Sequence, residues 1–460
     1  MRWGITFRRA VLLGWERART CARQHPFALA VLLAFGLAVA VRWLVLIRWY
    51  GDVPLIEEGT INDNLYYHLS ANLLADGHGF ANPFEYQVNG VLVPTAAHPP
   101  GYTVYLAIWS FFSADSVTWH RFAGGLLSAT AVLPVGLTLR RLFDLRTTAI
   151  AMFAVAIYPP LWMNDALILS ESMYIPLAAW ALYFAHRAYE EPSVKRIVHL
   201  TVMLSFGALT RSEPFLMFFL LLAPMVMFHP KLEWRDRIKR TAMAAGLAML
   251  ILAPWVGRNV TIFDEPTYLA VGPGYVLELG NCDDTYSGTF LGYWSANCDD
   301  GTTWPEGGDE SAIAAAKYAK ATEYIGENWE QLPKVVAARV GRILGVYRPV
   351  QGINFDTFFE RRVRTHVTVG LWAHYFVMLG SLYGITVWRR RTTVLPIAAI
   401  AGTAIFTAAI TFGISRYRIG ADLVFVILTA VALGHLIDRY GPPKPGEPLP
   451  PETIDEGALS

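Results

Sequence analysis

The stretch "FALAVLLAFGLAVAVRWLVLI", residues 27–47, is apolar for longer than the roughly 20 residues a helix needs to cross about 30 Å of hydrocarbon. Comparable runs, some slightly short of that length, recur at 120–139, 148–164, 172–187, 196–210, 214–229, 241–257, 366–388, 394–413 and 421–437. A backbone in lipid must satisfy its own hydrogen bonds, so such runs become helices. The expectation is an all-α polytopic membrane protein with about ten spans. Composition agrees: 54% of the 460 residues are hydrophobic and 16% are charged.

The net charge of +1 conceals the useful information, because orientation follows where arginine and lysine fall relative to the spans. Basic segments occur at Arg140, Arg141 and Arg146, at Lys195 and Arg196, between Lys231 and Arg240, and at Arg389 to Arg391. All fall on one side if the N-terminus is cytoplasmic. The run at 101–112 is too short to span and would break this parity, so it reads as re-entrant or interfacial. Asp52 to His120 contains no lysine or arginine, as an outer loop would.

The expected organisation is a cytoplasmic tail at 1–26 and a seven-helix module at 27–257 that includes a first outer loop at 48–119. A second outer loop at 258–365, further spans at 366–437 and a disordered cytoplasmic tail at 438–460 complete it. The N-terminus has no small-residue cleavage pattern and does not read as a cleaved signal peptide. In the second loop, Asp309 or Ser311 starts a helical pattern.

The chain contains no phosphate-binding or dinucleotide glycine motif and no cysteine–histidine metal pattern. Neither ATP-driven transport nor haem or zinc chemistry is supported, no cofactor and no nucleic-acid partner are expected, and a divalent metal ion stays open. Of the three cysteines, Cys282 and Cys298 lie in the second outer loop, where an oxidising compartment favours a disulfide over two unpaired thiols.

Asp63 begins "DNLYYHLSANLLADGHGF", whose aromatic and apolar positions suit a short helix on the membrane surface. It is either an N-cap or a general base that removes a hydroxyl proton. His98 precedes Pro99 and Pro100 at the start of the run at 101; a helix start attracts phosphate, so His98 either adds a phosphate contact or packs on Tyr102. Glu171, Asp165, Arg211 and Glu213 sit at outer span ends, where an ionisable group is functional or marks the water boundary. Arg258, Arg416 and Arg418 are outer-side arginines, and phosphate binding is the simplest reason for them.

The pattern in residues 63–83, then "HPPGY" at 98–102, resembles the first outer loop of GT-C fold glycosyltransferases, particularly glycosyltransferase family 39. That group includes the protein O-mannosyltransferases and the lipid A aminoarabinose transferase. The resemblance continues through "LSESMYIPLAAW" at 169–180, "ALTRSEP" at 208–214, "PWVGRN" at 254–259 and "SRYRIGAD" at 415–422. It implies a transferase that takes a sugar from a polyprenyl phosphate and passes it to a hydroxyl of a lipid, glycan or protein, with inversion, at the outer face of what would be a bacterial inner membrane. Asp63 is the implied base. Glu57, Glu58, Tyr67, His98, Glu171, Arg211, Glu213, Arg258, Asn259, Arg416, Tyr417 and Arg418 are the implied substrate contacts.

Two departures stand out. Many relatives begin the first-loop motif with adjacent acids, whereas Asn64 follows Asp63, so Glu57 or Glu58 could share the role. The lipid A branch carries lysine where this chain has His98. The rival readings are a transporter or lipid flippase with the same spans, and a scaffold that has lost activity.

Overall fold

The computed structural model describes residues 24–51, 55, 62–113, 116–303 and 307–441. Glu57 and Glu58 lie outside the described residues, as do most of both expected tails. Among the described residues the architecture is helical, with one isolated antiparallel bridge between Ala81 and Pro94.

Among the described residues, four helices are long and apolar enough to cross a membrane: Pro26–Tyr50, Val117–Leu142, Trp234–Ile262 and Ser415–Tyr440. The protein is an integral membrane protein. Its apolar outer surface fits this, because Met249 and Leu250 on Trp234–Ile262 are 68% and 71% exposed and would face lipid rather than water. Helices Glu171–Glu190, Val194–Thr210 and Arg364–Trp388 coincide with three more expected runs.

The count of ten is not reproduced by length and apolarity, and prolines account for part of the difference. The run at 148–164 ends as a helix at Ile157, and Leu145–Ile157 and Pro159–Leu167 meet at 55°. Pro159 and Pro160 supply no N–H to continue the ladder. The run at 214–229 is a composite of a 3₁₀ turn Glu213–Leu216, a π turn Phe218–Leu222 and a short α-helix Ala223–Met227, with Pro214 and Pro224 interrupting it.

The most buried long helix is Ile419–Tyr440, which packs along Arg364–Trp388. Small residues allow the approach: a Cβ added at Gly384 would lie 1.9 Å from the Leu428 carbonyl oxygen. Around this pair the core is alanine, leucine and valine from the helices between Pro26 and Ala248.

Two helices make up most of the described part of the segment 48–119 read as the first loop. Helix Asp63–Ala75 is capped by Asn62, whose side chain accepts from Leu65 N, so Asp63 is the first helical residue and not the cap. Helix Gly101–Ser113 packs against it through buried Tyr102 and Leu106. At 13 residues it is about 20 Å long, short of the hydrocarbon thickness. In the second loop, Asp309 caps Glu310–Glu327 by accepting from Ser311 N and Ala312 N. Fully buried Lys317 joins that helix to Glu278 at 2.5 Å and to Asp299 at 2.8 Å. Cys282 and Cys298 are joined as a disulfide, with Cα atoms 5.5 Å apart.

Candidate active site

Between helix Asp63–Ala75, the segment around His98, the segment 270–294 and the ends of the long helices lies a cavity of about 730 Å³. Its polar wall carries Asp63, His98, Arg211, Glu213, Glu360 and Arg416, and its apolar wall includes Leu216, Trp294, Phe355 and Phe359.

The polar wall is a chain of alternating charges. Asp63 Oδ1 lies 3.3 Å from His98 Nε2, and Asp63 Oδ2 lies 2.7 Å from Arg416 Nη1. Arg416 Nε donates to Glu171, which also accepts from Arg211 Nη1 at 2.5 Å. Arg211 Nη2 reaches Glu213 at 2.6 Å. Glu171 is fully buried and sits behind the cavity rather than lining it. Its role is to hold two guanidiniums side by side at the cavity wall.

Local folding places each group. The Thr210–Arg211 segment lies beside His98 because helix Gly101–Ser113 starts against the end of Val194–Thr210, where a Cβ at Gly101 would lie 2.7 Å from the Leu209 carbonyl oxygen. The chain leading to His98 is clamped by the second loop and the span before it. Glu310 accepts from Ala96 N and from Thr95 Oγ1, Val271 N donates to the Ala96 carbonyl, and Arg258 donates to the Thr95 carbonyl. The His98 ring stacks on Tyr67 at 4.9 Å and 28° and meets Tyr66 edge-on. Its neighbours are therefore these two tyrosines, and Tyr102 packs on Tyr67 instead.

Charge and burial pull on the carboxyls differently. Burial alone would raise the Asp63 pKa, but Arg416 and then His98 outweigh it and hold this carboxyl well below the usual carboxylate range. Glu360, 3.8 Å from Arg416, is pushed up by burial despite Arg416 and Arg362. Sequence reasoning missed Glu360. The available signal was "FFERR" at 358–362, an acid set among aromatics and arginines just ahead of a span.

Asp63, Tyr67, His98, Arg211, Glu213, Arg416 and Tyr417 share the cavity wall; besides Glu171, three other candidates do not line it. Arg258 lies within 6 Å of the Phe80, Trp255 and Phe263 rings and donates to the Phe80 and Thr95 carbonyls. Asn259 is fully buried and donates to the Tyr268 carbonyl. Arg418 is held by Asp422 at 2.9 Å and by the Ile343 carbonyl, beside a separate, smaller cavity. These three, with Glu171, are corrected from ligand contacts to packing and positioning groups, because none of them lines the cavity. Among the described residues no group of three His, Cys, Asp or Glu is arranged to hold a metal ion.

The helix arrangement superposes on archaeal oligosaccharyltransferase AglB from Archaeoglobus fulgidus, solved with an inhibitory peptide and a dolichol-phosphate, with a TM-score of 0.54 at 16% identity. The fold is the GT-C fold. The match covers 91% of this chain and 51% of AglB, so the chain spans about half the length of that protein. The apo form of the same enzyme gives 0.54 at 18% identity, covering 90% and 51%. ArnT from Cupriavidus metallidurans bound to undecaprenyl phosphate gives 0.39 at 11% identity, covering 90% and 78%. Residues 97–257 match the dolichyl-phosphate-mannose-protein mannosyltransferase family. That segment holds His98, Arg211 and Glu213 of the cavity wall and Glu171 behind it, while Asp63, Glu360 and Arg416 lie outside the matched residues. No curated protein sequence matches the chain.

Proposed function

We propose that the protein is a glycosyltransferase that moves one sugar from a polyprenyl phosphate to a hydroxyl acceptor at the extracytoplasmic face of a bacterial inner membrane. The observation that carries this reading is the convergence of Asp63, His98, Arg211 and Arg416 on one cavity with an apolar wall. Such a cavity suits a ligand with a charged head and a hydrocarbon tail. The matching family description and the AglB complex with dolichol-phosphate support the donor class.

The acceptor oxygen attacks the anomeric carbon, the bond from that carbon to the phosphate oxygen breaks, and its electron pair leaves on the phosphate. The sugar carbon inverts. Arg211 and Arg416, braced by Glu171, meet the phosphate, and the leaving group is an anion that needs no acid. The acceptor proton leaves toward the Asp63 side of the cavity, where Asp63 is the base expected from the first-loop motif. The second loop, held by the Cys282–Cys298 bond, forms the acceptor side. The lysine- and arginine-free stretch Asp52 to His120 supports an outer location for this cavity.

The test is to incubate the purified protein with a panel of radiolabelled polyprenyl phosphate sugars and membrane-extract acceptors. Transfer from at least one donor is expected. No transfer from any donor, together with lipid or solute flux in proteoliposomes, would replace this reading with transport.

A further inference from the structure

The smaller cavity beside Arg418 has a volume of about 50 Å³, several times the roughly 10–15 Å³ that one water needs. The 3₁₀ turn Ser415–Arg418 divides it from the larger one. Ser415 and Arg418 line the small cavity, Tyr417 lines the large one, and Arg416 touches both. Arg342, Arg348, Arg362, Asp356 and Asp422 complete the charged lining of the small one.

These charges do not balance. Asp422 is taken by Arg418 at 2.9 Å, and Asp356 by Arg362 at 3.2 Å and by the Ser415 hydroxyl at 2.6 Å. Among the described residues neither Arg342 nor Arg348 pairs with a carboxylate. Arg342 is buried, yet its guanidinium donates to neutral oxygens: the Leu291 and Thr289 carbonyls at 2.7 and 3.1 Å, and Gln351 Oε1 at 3.1 Å. Arg348 donates to the same Thr289 carbonyl at 2.9 Å, which sets two like charges side by side with no carboxylate shared between them. Burial pulls the Arg342 guanidinium down to about 10, and Arg348 pulls it the same way. A third donor is left open, because Arg362 is buried and its Nε has no hydrogen-bond partner. A buried charged group short of partners is costly, and an anion in the cavity would remove that cost.

We propose that the small cavity is a second phosphate site, separate from the cavity that would take the sugar donor, and that Arg342, Arg348 and Arg362 are its cationic contacts. The ligand is a phosphate group, carried by a lipid head or by a small soluble compound. Forked guanidiniums on different sides suit an anion with several acceptor oxygens. The volume admits a phosphate but no hydrocarbon chain, so a lipid would leave its tails outside. Val346, Val350, Val369 and Trp372, all exposed, adjoin the lining residues in the chain and offer apolar surface for such tails. Arg342 and Arg362 are buried and Arg348 is exposed, so Arg348 stands at the mouth of the site.

The experiment uses the full chain, stripped of lipid in an alkyl glycoside detergent that contains no phosphate. Equilibrium binding is measured for inorganic phosphate and for dioctanoyl phosphatidic acid, with dioctanoylglycerol as the counterpart lacking phosphate. The proteins compared are wild type, Arg348→Gln, Arg342→Gln and Arg211→Gln. Wild type should bind a phosphate whose Kd rises roughly tenfold or more in Arg348→Gln and in Arg342→Gln but stays within about twofold in Arg211→Gln, which alters the larger cavity. Because Arg348 is exposed, its replacement tests the site without opening a gap in the core. Binding of phosphatidic acid without inorganic phosphate assigns the ligand to a lipid head, and equal binding of inorganic phosphate assigns it to a soluble compound; both support the site. No binding of either phosphate ligand, equal binding by wild type and Arg348→Gln, loss confined to Arg211→Gln, or equal binding of dioctanoylglycerol would each overturn it. None of these measurements requires sugar transfer, so the result does not depend on the transferase reading.

Discussion

Arg416 Nη1 lies 2.7 Å from Asp63 Oδ2, so the first turn of helix Asp63–Ala75 is tied directly to the start of the last long helix. Neither residue could organise the cavity alone. The pairing fixes the carboxylate against His98 and leaves the guanidinium turned along the wall toward Arg211.

Replacing Asp63 with Asn keeps the volume and removes the carboxylate proposed to take the acceptor proton, together with its pairing to Arg416 and His98. Turnover should fall by roughly 100-fold or more, with donor binding little changed. Steady-state kinetics alongside equilibrium donor binding is the measurement. Near-normal turnover would move the role to Glu57 or Glu58.

Asp63 also predicts a pH dependence of stability. Its carboxyl is depressed because Arg416 and His98 override the upward effect of burial, so it binds fewer protons folded than unfolded. Stability from this group is therefore complete above the unfolded pKa of about 3.9 and is lost as pH falls below it. The difference in melting temperature between wild type and Asp63→Asn should stay constant from about pH 7 to about pH 5 and shrink below about pH 4. A difference that widens with acid would show that the pairing does not stabilise the fold.

Glu171 is fully buried and holds both arginines of the wall. Glu171→Gln leaves two guanidiniums short of a counter-charge and should destabilise the protein by about 3 kcal/mol, the scale for breaking a buried pair. Donor affinity should fall with it as Arg211 and Arg416 separate. Thermal melts and donor titrations of the variant report both effects, and an unchanged melt would show that Asp63, Glu213 and Glu360 suffice.

The Cys282–Cys298 bond closes a loop with a sequence separation of 16. Changing both cysteines to serine should lower stability by up to about 3 kcal/mol in the chain-entropy model. Acceptor KM should rise more than donor KM, because the proposed phosphate contacts, Arg211 and Arg416, lie on other segments than this loop. Mass spectrometry of non-reduced protein provides the direct check, and free thiols at both positions would show that the loop is held otherwise.

The linear order of the residues was enough to establish a helical membrane protein and the short length of the 101–112 segment, and it pointed to Asp63, His98, Arg211 and Arg416, which the fold brings to one cavity wall. Those features are written in local hydropathy, in the placement of basic residues and in short motifs, all of which can be read one window at a time. What it could not settle was which side chains meet. Arg258 and Arg416 look alike in sequence, each an arginine at an outer span end, yet one is enclosed by Phe80, Trp255 and Phe263 while the other reaches Asp63. Asn62 rather than Asp63 takes the helix cap, which frees the carboxylate for the cavity. Glu360 joins the site only because the segment before Arg364–Trp388 folds back over Arg416. Each of these outcomes depends on packing between segments far apart in the chain, where the direction of a side chain is set by the neighbours it meets and not by the residues beside it.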